Sequence, residues 1–112
     1  MLIVALGVLS ACATTPAAPI NDGGLIAKAR ADIRASLREP ASGDFMNFRS
    51  YSLANGEKAV CADVNSRNGF GGMTGFQKMV AIYEVNGRHI VFEGGPAASE
   101  CAGLANGVSM RI

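Results

Sequence analysis

The chain has 112 residues, with ten Lys or Arg against nine Asp or Glu for a formal net charge of +1, one His, three Cys and no Trp. That balance lacks the concentrated basic field a nucleic-acid partner requires, and two Tyr with five Phe supply few base-stacking platforms. About a hundred residues follow Cys12, which is one small domain burying only about 60–65% of its unfolded surface, with a thin margin of stability.

An uncharged apolar run from Leu2 to Leu9 leads directly into Ser10-Ala11-Cys12. It is too short to span a bilayer and has the apolar-core and cleavage-site form of a secretory signal, although no Lys or Arg precedes it. The Leu9-Ser10-Ala11-Cys12 ending resembles a bacterial lipoprotein signal. The resemblance implies a signal peptide over residues 1–11, cleavage before Cys12, and acylation of the Cys12 thiol as a membrane anchor. Each buried acyl CH₂ contributes about 0.8 kcal/mol, and two or more chains make such anchoring effectively permanent. Ala13 stands where an inner-membrane retention signal would resemble Asp, which favours an outer-membrane protein facing the periplasm. The alternative is a soluble protein whose N-terminus is merely apolar.

With Cys12 assigned to lipid, Cys61 and Cys101 remain as a pair in an oxidising compartment and are expected to form one structural disulfide. Closing a loop of about 40 residues stabilises the fold by about 4 kcal/mol in the chain-entropy model. The alternatives are free thiols, zinc ligation or redox use, but redox chemistry wants a closely spaced pair beside a thiolate-stabilising group.

In chain order, residues 12–24 are rich in small residues, Pro and Gly and read as a flexible tether, with a single α+β domain over residues 25–112. Leu25, Ala29, Ile33 and Leu37, with Ile26 beside them, recur at helical spacing and predict an N-terminal amphipathic helix. Asn21 or Asp22 supplies its cap, and Pro40 ends it near Arg38 or Glu39. Its other side carries Lys28, Arg30, Arg34 and Arg38. This face reads either as a solvated surface meeting the helix C-terminal dipole or as a contact for anionic headgroups or an acidic partner.

The remainder predicts a four-stranded antiparallel sheet of two hairpins, with the helix packed on one face. Phe45 to Leu53 turns at Asn55-Gly56 into Lys58 to Asn65, and Phe76 to Val85 turns at Asn86-Gly87 into Arg88 to Glu93. Val60, Ala62 and Val64 mark one buried face. Ala97 to Leu104 predicts a short C-terminal helix that brings Cys101 back to Cys61, and Val108 to Ile112 is a candidate edge strand.

Between the hairpins, the segment from Asn65 to Gly75 contains Gly69, Gly71, Gly72 and Gly75. Glycines permit the close backbone approach that phosphate-cradling loops use, yet such loops open a helix, and here Phe76 begins a strand with no Walker lysine. The segment reads instead as an ordered loop, with Asn65 and Asn68 bonding it to itself in Asx-turns. Its other reading is a recognition loop, with Asn65, Arg67, Asn68, Phe70, Gly71, Gly72, Met73 and Gly75 as the candidate contact residues for an envelope protein or glycan. Catalytic groups are sparse. His89 is the single histidine, no Ser sits in a nucleophile elbow, and Glu84 and Glu93 fit a solvent face, so neither a metal, a cofactor nor a catalytic residue is assigned.

Two stretches, Ile33-Arg34-x-x-Leu37-x-x-Pro40-x-Ser42-x-x-Phe45 and Cys61-x-x-Val64-Asn65-x-x-Asn68-x-x-Gly71-x-x-x-Gly75-Phe76, resemble a set of small bacterial envelope proteins, often lipoproteins, of unassigned function. The resemblance runs from Ile33 to Phe92. It implies secretion and a compact α+β module and carries over no catalytic residue. The function expected is a non-enzymatic, periplasm-facing lipoprotein that binds another envelope component. An inhibitor of a secreted cell-wall lytic hydrolase and a minor envelope enzyme are the alternatives.

Overall fold

The computed structural model describes residues 14–111. The signal peptide expected over residues 1–11 and the lipidation expected at Cys12 lie outside the described residues. Among the described residues, six antiparallel strands run β1 (Thr15–Ile20), β2 (Asp44–Leu53), β3 (Lys58–Asn65), β4 (Gln77–Tyr83), β5 (His89–Glu93) and β6 (Val108–Ser109), in the spatial order β5-β4-β3-β2-β1-β6. Helix α1 (Gly23–Ser36) follows β1, and helix α2 (Gly94–Ala105) joins β5 to β6. The two-hairpin sheet of four strands is therefore incomplete, and α1 is not the first element of the fold.

The stretch expected to be a flexible tether, residues 12–24, contains a strand. Thr15–Ile20 is a strand paired with β2 through Ala17↔Leu53 and Ile20↔Ser50, and with β6 through Thr15↔Ser109. Its composition hides it, since Pro lacks a ladder donor and small residues lack an apolar signal. Both prolines nonetheless sit where no ladder bond is lost. Pro16 lies level with Ala54, beyond the end of β2, and accepts that residue's N–H at 2.8 Å. Pro19 faces the side on which β6, only two residues long, has already ended.

The sheet carries a helix on each face, where one on a single face was expected. Val60, Ala62, Val64, Met79 and Ala81 pack under Ala29 and Ile33 of α1. On the opposite face Tyr51, Leu53, Ala59, Cys61, Val80 and Ile82 pack under Ala97, Cys101 and Leu104 of α2. Both faces of β3 and β4 are thus dry, and each strand reads as a near-continuous apolar run. Ala97, Cys101 and Leu104 fall at i, i+4 and i+7, so α2 presents one stripe to the sheet, pinned there by the Cys61–Cys101 disulfide with Cα atoms 6.0 Å apart.

Local signals fix the boundaries. The Asp22 carboxylate accepts the Leu25 N–H at 3.0 Å and caps α1. The helix stops at Ser36, slightly ahead of its predicted end, and a single 3₁₀ turn (Pro40–Ser42) leads into β2. Asn55-Gly56 and Asn86-Gly87 both turn their hairpins, with Gly56 and Gly87 in left-handed backbone at φ 94° and 92°. A bulge between Met46 and Arg49, with Asn47 at φ 58°, brings Phe45 and Phe48 to the same face, whereas a regular strand would point residues three apart to opposite faces. The basic face of α1 leans on these rings. Arg30 lies 4.7 Å from the Phe48 centroid and Arg34 lies 4.8 Å from that of Phe45. Such contacts, each about 0.5–1 kcal/mol at exposed positions, offset the repulsion between the stacked arginines.

The C-terminal segment is held by a buried carboxylate. Glu100 of α2 accepts the Ser109 hydroxyl at 2.5 Å and the Met110 N–H at 3.0 Å, closing β6 against β1. Arg111 pairs with Glu57 of the first hairpin turn.

Candidate functional site

Residues 65–76 join β3 to β4 at the end of the sheet opposite the two hairpin turns. The loop starts and stops on strands whose register is fixed, Val64 lying opposite Gln77. Below it, Asp63 accepts from Asn47 at 2.8 Å and from Lys78 at 2.7 Å, and these two hydrogen bonds hold its carboxyl below the ordinary range despite partial burial. The base of the loop is therefore tied to β2 and β4 before the loop begins.

Within the loop the asparagines act as internal acceptors. Asn65 Oδ1 takes the Gly75 N–H at 2.9 Å, bridging the two ends. Asn68 Oδ1 takes the Phe70 N–H at 2.8 Å in an Asx-turn and the Gly72 N–H at 3.1 Å, while its own N–H reaches Gly72 O at 2.7 Å. Thr74 N–H donates to Ser66 O at 2.8 Å, and Arg67 pairs with Met73 in an isolated bridge. Gly71 and Gly75 adopt φ 88° and 81°, conformations that L side chains rarely take. Backbone N–H groups that would have to face an anion are consumed by Asn65, Asn68 and Ser66. The loop is thus a small closed structure and not a phosphate cradle.

Arg67 fastens this structure to the rest of the chain. Its guanidinium donates to Gly71 O at 3.1 Å and stands 3.5 Å from the Glu39 carboxylate, and its N–H donates to Ser42 Oγ at 2.9 Å. The 3₁₀ turn after α1 is therefore part of the site, a contact that no local signal in the sequence announces. Arg38 lies against Gly69, where an added Cβ would stand 3.3 Å from its Nε.

The candidate contact residues divide accordingly. Asn65, Arg67, Asn68, Gly71, Gly72 and Gly75 build the loop. Phe70 stands fully exposed at its tip, and Met73 and Phe76 are about half exposed at 48% and 47%. Beside the loop, a polar cleft of about 500 Å³ is lined by Ser36 and Arg38 of α1 and its C-terminal extension, by Ser66, Asn68 and Thr74, and by Glu93 at the end of β5. Arg38 and Glu93 have no ion-pair partner among the described residues. Both were missing from the loop as read from sequence. Arg38 is foreshadowed only by its place in the i, i+4 series of arginines, and Glu93 only by ending a strand.

Among the described residues there is no group of three His, Cys, Asp or Glu able to hold a metal ion, and no helix is long and apolar enough to cross a membrane. His89 lies tilted beside Tyr83, ring centroids 5.9 Å apart, at the turn end of the sheet and outside the lining of the cleft. No family model, curated protein or solved structure matches the chain.

Proposed function

We propose that this chain is a lipid-anchored, non-enzymatic binding module of the bacterial cell envelope, acylated at Cys12 and directed to the outer membrane, whose loop 65–76 docks another envelope protein or glycan. The observation that carries the reading is Phe70, an aromatic ring with no burial at the tip of a loop whose backbone is fixed by its own asparagines. A folded monomer gains nothing from exposing a whole phenyl ring, and a loop already ordered binds without a large further loss of conformational entropy. A buried disulfide between a central strand and α2 suits an oxidising compartment.

The test places a photo-crosslinking residue at Met73 in cells and compares the envelope adduct in chains with and without Phe70→Ala. The variant should melt like the parent, because the ring it removes touches solvent only, and the adduct should fall several-fold. An undiminished adduct would discard the loop as the docking surface. The same projecting loop supports inhibition of a cell-wall lytic hydrolase as a second reading, since a preformed loop can plug an active-site cleft. Absence of any protection in a lysis assay with the purified protein at micromolar excess would remove it.

A further inference from the structure

Ala13 and Thr14 are the residues between Cys12 and the first strand, so a lipid attached at Cys12 has almost no tether. Three fully extended residues reach at most about 10 Å. The strand that receives this link is not free to swing, for Thr15 is paired with Ser109 and Ala17 with Leu53. Whatever surrounds the start of β1 must therefore lie at the bilayer surface.

Strand directions identify what that is. The start of β1 is level with the turn after β2, through Pro16 and Ala54. That turn in turn touches the β4–β5 turn, where a Cβ on Gly56 would lie 3.1 Å from Val85. Both hairpin turns and the start of β1 thus share one end of the sheet. Strand β3 runs away from it, from Lys58 to Asn65, and at about 3.3 Å per residue places loop 65–76 some 23 Å, roughly, beyond the turns.

We infer that the end carrying the Asn55-Gly56 and Asn86-Gly87 turns faces a lipid bilayer, and that loop 65–76 is held at the far end, directed away from it. This rests on the proposed acylation of Cys12. The surface chemistry suits headgroups. Val85 is 72% exposed at the tip, Lys58 and Arg88 flank the turns, and Glu57 is neutralised by Arg111, which leaves Glu84 as the unpaired carboxylate there among the described residues. The orientation also gives the binding module its purpose, because the loop reaches out while the short link keeps the opposite end of the domain close to the bilayer.

The full chain, expressed in a host that processes lipoproteins, is labelled with a fluorophore through Val85→Cys or Phe70→Cys and reconstituted into phosphatidylethanolamine–phosphatidylglycerol vesicles containing headgroup-nitroxide lipid. Quenching at position 85 should exceed that at position 70 several-fold. Inserting about ten Gly/Ser residues after Ala13, a coil with a reach of about 17 Å, should abolish most of the difference. Equal quenching, or stronger quenching at position 70, would overturn the orientation. Mass spectrometry of the purified chain separates the two failures. An unacylated chain refutes the anchor, whereas an acylated chain with equal quenching refutes the orientation alone.

Discussion

Removing the Cys61–Cys101 bridge by double substitution to Ala tests how this small core is stabilised. The bridge closes a loop of 40 residues in sequence separation and ties the central strand β3 to α2. In the chain-entropy model its loss releases about 4 kcal/mol of unfolded-state entropy at 25 °C. For a domain of about 100 residues that corresponds to a fall in Tm of about 15–30 °C. The native contacts change little, since both cysteines are already in the dry layer between sheet and helix and Ala keeps that layer apolar. The effect should therefore appear mainly through the unfolded chain. Urea titrations should show a lower midpoint together with a larger m-value, because an uncrosslinked chain exposes more surface on unfolding. A Tm loss under about 5 °C with unchanged m would mean that the apolar stripe of α2 alone fixes the helix, and would refute the argument that the bridge stabilises by restricting the chain.

Three further outcomes follow from particular contacts. Gly103→Ala should destabilise by about 1–3 kcal/mol in thermal melts despite its better helix propensity, because the added Cβ would stand 2.9 Å from the Val108 carbonyl oxygen and force α2 away from β6. Asn68→Ala should cost about 1–2 kcal/mol at most, yet abolish hydrogen-exchange protection at Phe70 and Gly72, whose N–H groups it leaves unbonded. The Tyr83 phenol, raised by burial and then by its 2.7 Å hydrogen bond to Asp32, should stay protonated above its ordinary pKa of 10. Because the folded state then holds a proton that the unfolded state has released, stability should be full below pH 10 and fall as pH rises beyond it. Phenolate absorbance that titrates normally at Tyr83 while the fold persists would contradict this.

What could be read in advance, and what could not, separates along physical lines. Hairpin turns, the cap at Asp22 and the stripe of α1 are decided by neighbours in the chain, and each is where periodicity and turn chemistry put it. The pairing of Cys61 with Cys101 was expected from compartment and count, and the fold brings the two together. Strand β1 escaped because four of its six residues are Pro or Ala, and its strand state is stabilised by two partner strands and not by its own side chains. The second covered face escaped because alternation marks one apolar face and cannot show whether the other is wet. In the site, the glycines and asparagines of loop 65–76 declared a self-bonded turn, and Phe70 is fully exposed at its tip. That Ser42, Glu39 and Arg38 join the loop, with Glu93 closing the cleft, follows from where α1 ends and β5 stops, and no local rule contains that.

By itself, then, the sequence determined local geometry: turns, one helix face and the candidate loop, beside an apolar N-terminal run ending at Cys12 and two further cysteines. Only the tertiary structure decided that Thr15 to Ile20 joins the sheet, that a helix lies on each face, and that the start of β1 and loop 65–76 lie at opposite ends. The physical reason is that backbone pairing is blind to side-chain character. A strand of small residues and prolines becomes ordered when β2 and the two residues of β6 offer it partners, and its direction then fixes which end of the sheet its first residue, Thr15, occupies.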